Sequence, residues 1–220
     1  MKMQLPGLGV DSSGSGLMRV QRQGLEARHR ESLARFGYSP EALFWSTRGV
    51  QKARFKALAG IGVARGDSLL DVGCGFGDLD SWLSSRKKSV QYTGIDISPD
   101  ILMRAGEMMP ARNLKCGELF DFQWPDSSFD WVLLSGTLNW NLFDNGDYAR
   151  RSIARMFALA RKGVAFNLLN ERYINPLYLD GLVAYDVQTM LDFCKTITTN
   201  CELVEGYLDN DFTIFMHCEM

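Results

Sequence analysis

Residues 69–79 constrain the fold most, because an apolar run there leads into three closely spaced glycines and then into a helical stretch. A buried strand followed by glycines and a helix is typical of the carboxyl edge of a parallel sheet, where the backbone can approach a ligand closely. A dinucleotide fingerprint requires G-x-G-x-x-G, but Asp78 occupies the position of its third glycine. A carboxylate at that helix start would repel a pyrophosphate. The segment therefore disfavours a nicotinamide-dependent dehydrogenase.

After Gly66 the sequence alternates short apolar runs with helical stretches. This alternation predicts an α/β fold with a mostly parallel seven-strand sheet and helices on both faces. The final two strands are predicted to form a hairpin through Asp209 and Asn210 that adds one antiparallel strand. The expected strands are 68–72, 92–97, 114–116, 131–135, 164–169, 202–208 and 212–217, and the expected helices are 78–85, 99–109, 148–161 and 187–196.

The region before the sheet is expected to contain a tail and helices. Residues 1–17 are rich in glycine and serine, which predicts a flexible tail. A mostly exposed helix is expected over 19–36. Ser39 and Pro40 form a helix-start pattern, which predicts a second helix to about residue 59 with a break at Gly49.

Composition excludes several classes of protein. The 24 basic and 26 acidic residues give a net charge of −2, which offers no electrostatic argument for nucleic acid or anionic lipid. The five cysteines lack a C-x-x-C pair, which argues against a disulfide framework or a structural zinc site. No apolar run approaches the roughly 18 residues of a spanning helix. We expect a soluble, cytoplasmic protein without a metal.

The glycine segment resembles a known sequence motif. The pattern Asp71-x-Gly73-x-Gly75-x-Gly77 after a hydrophobic strand resembles motif I of the class I S-adenosylmethionine-dependent methyltransferases. The resemblance implies a Rossmann-like fold in which Gly73, Cys74 and Gly75 lie against the methionine portion of the cofactor. Asp71 would then help to hold the cofactor's amino group.

Two further segments match this family in register. Asp96 lies 25 positions after Asp71, at the end of the second expected strand, where an acid can accept hydrogen bonds from both ribose hydroxyls. The resemblance implies that Ile97 packs on the adenine face. It also implies that Glu118, where the family usually has Asp, accepts the adenine amino group, while the Leu119 amide faces a ring nitrogen.

The resemblance places the remaining site residues at the fourth strand and before the first. Ser135 would contact the cofactor, and Asn139 and Trp140 would line the acceptor pocket, with a plain loop role as the alternative. Trp45 and Arg48 would meet the cofactor from an N-terminal lid, although Arg48 could equally be a surface cation.

No catalytic base can be named from the sequence. Many family members have a histidine near the position of Asn139, and this chain has none there. We expect His29 to be exposed and His217 to be structural, since neither has the partners that a proton relay needs. The run Asn175-Pro176-Leu177-Tyr178 is similar to a signature of amino-group methyltransferases, but it follows the wrong strand and lacks the second proline. We interpret it as a turn.

The resemblance covers roughly residues 40–170 and implies a methyltransferase domain over 60–220, preceded by a helical lid over 18–59. The expected reaction moves a methyl group from S-adenosylmethionine to an oxygen or nitrogen of a small-molecule acceptor, leaving S-adenosylhomocysteine. We expect neither a nucleic acid nor a membrane partner, and a monomer or homodimer. Two alternatives stay open: a nucleic-acid methyltransferase, and a regulatory protein that binds S-adenosylmethionine without turnover.

Overall fold

The computed structural model describes residues 16–174 and 181–219. The first fifteen residues of the predicted tail and the run from Asn175 to Tyr178 lie outside the described residues. The α-helices are α1 (Arg19–Phe36), α2 (Arg48–Ala59), α3 (Asp78–Ser84), α4 (Pro99–Met108), α5 (Asp147–Leu159) and α6 (Val187–Lys195). The strands are β1 (Ser68–Val72), β2 (Gln91–Asp96), β3 (Asn113–Cys116), β4 (Phe129–Ser135), β5 (Ala160–Leu169), β6 (Cys201–Val204) and β7 (Asp211–His217).

The strands form one seven-stranded sheet in the order β3-β2-β1-β4-β5-β7-β6. The pairs among β1 to β5 are parallel, and β7 pairs antiparallel with both β5 and β6. This confirms the predicted α/β sheet and its C-terminal hairpin. The chain runs outward from β1 to β3 and then returns to β4 on the other side of β1. The order therefore reverses between β1 and β4.

Helices on both faces of the sheet bury a separate apolar layer each. Successive strand residues point to opposite faces, so Leu69 and Leu70 belong to different layers. Leu69 packs in the layer that contains Leu58 of α2 and Trp82 of α3. Leu70 packs in the layer that contains Ile153 of α5. This burial on both faces explains why two adjacent residues of β1, Leu69 and Leu70, are both apolar.

Several predicted boundaries shift in the structure. The helix expected to end at residue 161 ends at Leu159, and β5 begins at Ala160 because Phe129 already pairs with that residue across the sheet. Arg161 and Lys162 are exposed, so the apolar pattern that predicts a strand starts only after them. The strand expected over 202–208 ends at Val204, before Gly206 with a φ of 80°.

The second N-terminal helix is also different from the prediction, because it is interrupted before Gly49. Pro40–Leu43 form a single 3₁₀ turn, which stops at Phe44 with a φ of 61°. α2 then starts after Thr47, whose side chain accepts a hydrogen bond from the amide of Val50. The capping hydroxyl at Thr47 thus defines a new helix start. Within the described residues, no helix is long and apolar enough to cross a membrane.

Candidate active site

A cavity of about 660 Å³ opens at the carboxyl ends of β1, β2, β3 and β4. This is the point where the strand order reverses, which is where open α/β sheets bind ligands. The volume lies within the range of about 300–1,000 Å³ that is typical of small-molecule sites. Leu17, Leu25 of α1 and Phe44 also line the cavity. The N-terminal segment therefore forms part of its wall.

The glycine loop after β1 brings the backbone directly to the cavity. Gly73 and Gly75 adopt φ values of 71° and 55°, a region that disfavours residues with a Cβ. A Cβ on Gly73 would lie 1.9 Å from the Oγ1 atom of Thr137, and one on Gly75 would lie 2.6 Å from a methyl carbon of Leu43. Cys74 lies between them with a buried thiol. The loop cannot accommodate a side chain at either glycine without displacing a neighbour.

Asp96 connects the end of β2 to the glycine loop. One of its carboxylate oxygens accepts a hydrogen bond from the Gly75 amide at 2.9 Å, and the other accepts one from the Ser98 amide at 2.9 Å. The side chain is buried and lines the cavity next to Ile97. These two amides fix the carboxylate at the cavity wall, where its remaining lone pairs are available to a ligand.

Asp71 is a buried carboxylate that lines the same cavity. Its Oδ2 atom accepts a 2.7 Å hydrogen bond from the Tyr92 hydroxyl. Burial raises the pKa of Asp71 to about 7, while the Tyr92 hydrogen bond opposes the rise and the negative charge of Asp96 adds to it. A carboxyl in this environment gains from any cation that binds beside it.

Glu118 follows β3 and is held by three protein donors. Its Oε1 atom accepts hydrogen bonds from the Leu17 amide at 2.6 Å and from Arg22 of α1 at 3.1 Å. Its Oε2 atom accepts a 2.6 Å hydrogen bond from the Tyr148 hydroxyl, and burial raises the pKa of that tyrosine. The extra methylene of Glu, compared with the usual Asp, lets the carboxylate join α1 to α5. Leu119 is buried and also lines the cavity.

An arginine that the sequence analysis did not select lies at the wall beyond the glycine loop. Arg54 of α2 forms a buried bidentate ion pair with Asp211 at the start of β7. Its guanidinium carbon lies 4.7 Å from the centre of the Trp45 ring. Its third nitrogen, Nη1, lies 2.8 Å from the position that a Cβ on Gly136 would take. Trp45 and Arg54 both line the cavity.

Arg48 lies elsewhere. It is exposed, and its guanidinium carbon lies 5.8 Å from the centre of the Tyr38 ring. It is not among the described residues that line the cavity. Arg54, six residues later in α2, is the arginine of the N-terminal segment that lines the cavity.

The residues predicted after β4, Ser135, Asn139 and Trp140, all line the cavity, and the first two also make hydrogen bonds within the protein. Ser135 lines the cavity and donates a 3.0 Å hydrogen bond to Asn167. Asn139 is buried, its side-chain oxygen accepts a hydrogen bond from the Leu169 amide, and its carbonyl accepts one from the Val183 amide. These contacts make Asn139 a connector between β5 and the chain that follows residue 181.

Trp140 belongs to a group of rings that we call the aromatic wall (His29, Phe44 and Trp140). The Phe44 and Trp140 ring centres are 4.9 Å apart and perpendicular, and the His29 ring meets both of them edge to face. All three residues line the cavity. His29 was expected to be exposed, but the structure places it half-buried at the cavity because α1 packs across the mouth.

This geometry defines a class of fold and site. A glycine loop after β1, an acid at the end of β2 and another after β3 meet at the reversal point of a seven-stranded sheet whose β7 strand is antiparallel. That combination is the Rossmann-like architecture of class I methyltransferases.

Comparisons with known proteins agree with this class. Residues 70–166 match the family described as "Methyltransferase domain". Rv1506c of Mycobacterium tuberculosis, a relative named for an inferred methyltransferase activity, is 27% identical over 157 residues, which cover 68% of this chain and 92% of the relative. These matches support a class I S-adenosylmethionine-dependent methyltransferase with S-adenosylmethionine as its cofactor.

Two solved structures are similar in fold. Magnesium protoporphyrin IX methyltransferase from Synechocystis PCC 6803, with bound S-adenosylmethionine, has a TM-score of 0.63 and 12% identity, covering 91% of this chain and 96% of that one. An S-adenosylmethionine-dependent methyltransferase from Mesorhizobium loti has a TM-score of 0.61 and 18% identity, covering 76% and 98%. At these identities the likeness concerns the fold alone.

The residues present fit this cofactor. S-adenosylmethionine has a cationic sulfonium centre and a cationic amino group, and Asp71, Asp96 and Glu118 line the cavity. The glycine loop, which has no room for a Cβ at Gly73 or Gly75, brings the backbone to the cavity wall. The one guanidinium among the described cavity residues is that of Arg54, which lies beside Gly136. The cavity thus offers acids for the cationic groups and a guanidinium for the carboxylate of the cofactor.

Proposed function

We propose that this methyltransferase acts on an oxygen or nitrogen of a small molecule that binds against the aromatic wall. The observation that carries the proposal is the shape of the cavity. Its sheet edge carries the glycine loop and the acids, and its remaining wall is made of apolar and aromatic side chains from α1, the 43–45 segment and the residues after β4. One enclosed space thus serves two ligands.

The cofactor half of the cavity is assigned by contact and charge. Gly73, Cys74 and Gly75 face the methionine portion, and Asp71 accepts a hydrogen bond from its amino group. Arg54 replaces Arg48 as the partner of the cofactor's carboxylate, because its Nη1 atom lies at the wall while its other nitrogens bind Asp211. A guanidinium that is already oriented by a buried carboxylate loses little further entropy on binding.

The adenosine end is assigned to the residues after β2 and β3. Asp96 receives the ribose hydroxyls, Ile97 packs on the adenine, and Leu119 offers its amide. Glu118 has a double role, since it holds α1 through Arg22 and Leu17 and keeps one acceptor position for the adenine amino group. Cofactor binding and placement of the N-terminal segment are then coupled through one carboxylate.

The protein contributes to the reaction by aligning the acceptor with the methyl group and by excluding water from the site. When bound, S-adenosylmethionine supplies a methyl group activated by its positive sulfur. The side chains of the aromatic wall hold the acceptor in line at roughly 3 Å, which is where positioning contributes most of the rate. Leu17, Leu25 and Phe44 shield the site from water, which strengthens the electrostatic interactions inside.

A nucleic-acid acceptor is the alternative, and the structure offers less for it. The cavity is lined by the acids Asp71, Asp96, Glu118 and Asp144, and the net charge is −2. Phosphate binding relies on clustered lysines and arginines. A filter-binding titration with single-stranded RNA at low salt would favour this alternative if it gave submicromolar affinity.

Calorimetry tests the assignment of the cofactor half. S-adenosylhomocysteine should bind and NAD should not. The Asp96→Ala variant should lose about 1.5–3 kcal/mol of binding free energy, the range for hydrogen bonds to a charged group. Asp192→Ala, which removes an exposed acid on α6, is the matched control and should bind normally. Equal affinity in the two variants would remove Asp96 from the ribose role.

A further inference from the structure

The acidic groups of the cavity and its buried phenols already have protein partners, whereas the Tyr173 side chain is exposed at the edge of the cavity. These contacts leave no acid or phenol among the deeply placed cavity residues that is poised to take a proton from an acceptor. Asp71 accepts from Tyr92, Asp96 from two amides, Glu118 from Tyr148, Asp144 from the amides of Gly146 and Tyr148, and Tyr185 donates to the Leu138 carbonyl.

His29 is different from these groups. Its Nδ1 atom lies 2.9 Å from the Leu25 carbonyl oxygen one turn earlier in α1. A carbonyl only accepts hydrogen bonds, so Nδ1 is the nitrogen that carries the proton. Nε2, the nitrogen remote from the backbone, then has a lone pair and no hydrogen-bond partner within the described part of the chain. The other ring contacts are the aromatic edges of Phe44 and Trp140.

We propose, resting on the proposed function above, that His29 Nε2 is the proton acceptor for an aromatic hydroxyl that lies against the aromatic wall. The substrate class is a flat, largely apolar molecule with a phenol-type hydroxyl. In the step, the hydroxyl oxygen forms a bond to the methyl carbon and the carbon–sulfur bond breaks with its electron pair staying on sulfur. The hydroxyl proton passes to Nε2, and later to solvent, so charge and atoms balance.

The choice of an aromatic hydroxyl follows from acidity. A phenol has an ordinary pKa of about 10 and an imidazole one of about 6.5, and this gap narrows as the oxygen loses electron density to the methyl carbon. The gap is much larger for hydroxyls whose acidity is near that of water, with a pKa of about 15.7. An amine acceptor attacks through its own lone pair and needs no base before transfer. The guanidinium of Arg28 lies 5.2 Å from the centre of the Trp140 ring, so one ring of the aromatic wall carries a positive charge against it.

The first test measures ionisation and needs no turnover. 4-Nitrophenol is titrated into the full chain saturated with S-adenosylhomocysteine, and its phenolate absorbance is followed. The pH is set one unit below the value at which free 4-nitrophenol is half ionised. Binding should raise the phenolate fraction about fivefold, which corresponds to a downward shift of one pKa unit. His29→Phe keeps an aromatic ring and should abolish the rise. His217→Phe, which removes the imidazole at the far end of β7, is the matched control and should retain it.

The second test measures turnover with a matched pair of flat probes, 6-hydroxyquinoline and 6-aminoquinoline. His29→Phe should lower kcat for the hydroxyl probe by about 100-fold, within the range for loss of a general base, while the amine probe changes less than threefold. An equal loss for both probes, or an unchanged nitrophenol signal in His29→Phe, overturns the assignment. A native nitrophenol signal that His29→Phe abolishes, without turnover of either probe, supports His29 and counts against the proposed methyl transfer to small molecules.

Discussion

The buried carboxyl of Asp71 makes cofactor binding dependent on pH. In the free protein, burial raises the pKa of this group to about 7, so much of it is protonated in mildly acidic solution. A cationic amino group at the glycine loop would favour the charged carboxylate. Binding should therefore release a proton below pH 7, and the affinity for S-adenosylhomocysteine should increase with pH.

The size of the effect follows from that pKa. If the ionised form is the one that binds, roughly one molecule in eleven is competent at pH 6 and roughly ten in eleven at pH 8, a tenfold difference worth about 1.4 kcal/mol. Tyr92→Phe removes the hydrogen bond that favours the carboxylate. The pKa of Asp71 should then rise further, and the whole affinity profile should move to higher pH.

Isothermal calorimetry at pH 6, 7 and 8 measures both quantities. Repeating each titration in two buffers with different ionisation enthalpies counts the protons, and about 0.9 should be released at pH 6 and about 0.1 at pH 8. Asp71→Asn, which keeps the shape of the side chain, should bind weakly with no pH dependence over this range. Equal affinity at pH 6 and pH 8 in the native chain, with no proton release, would refute the reasoning.

Three further perturbations test the surrounding structure. The pKa of Asp71 is higher in the folded state than in the unfolded state, so the folded state holds a proton that the unfolded state has lost. The stabilisation from this proton disappears as pH rises through 7. The ligand-free Tm should therefore fall from pH 5 to pH 8, and Asp71→Asn should flatten that fall. Arg54→Ala leaves a buried carboxylate unpaired and should lower the free energy of unfolding by about 3–5 kcal/mol in urea; a loss under 1 kcal/mol would contradict the buried pair. Gly73→Ala should abolish S-adenosylhomocysteine binding by calorimetry while the circular dichroism spectrum stays native, because its Cβ would meet Thr137.

The sheet and the cofactor loop could be predicted because their signals are local. The signals lie close together in sequence: a strand, a run of alternate glycines and an acid at the end of the next strand. Each can be recognised without knowledge of a distant partner. The strand ends were harder to place, because β5 begins with the exposed pair Arg161 and Lys162 and is defined by pairing with β4. Its start is a property of the sheet and has no apolar signal of its own.

The wall contributed by the N-terminal segment could not be predicted for a related reason. Arg54 is recognisable only from Asp211, a partner 157 positions away. The hydrogen bond from Arg22 to Glu118 likewise joins residues that are 96 positions apart. α1 itself is polar, with Ser32 as its buried residue, so its sequence resembles an exposed helix. Its ion pairs and hydrogen bonds to the loops, such as Gln21 to the Leu142 carbonyl, are what brings His29 to the cavity.

Amide hydrogen exchange with and without S-adenosylhomocysteine tests most directly whether the cofactor occupies this cavity beneath the N-terminal segment. Because loosely packed elements exchange fastest, ligand contact should be visible as new protection. We predict slower exchange in residues 72–77, 95–98 and 117–119, and also in 38–55, which contain Trp45 and Arg54. Protection of the three sheet-edge loops without 38–55 would contradict the role of the N-terminal segment. Binding without protection of residues 72–77 would contradict the cofactor site itself.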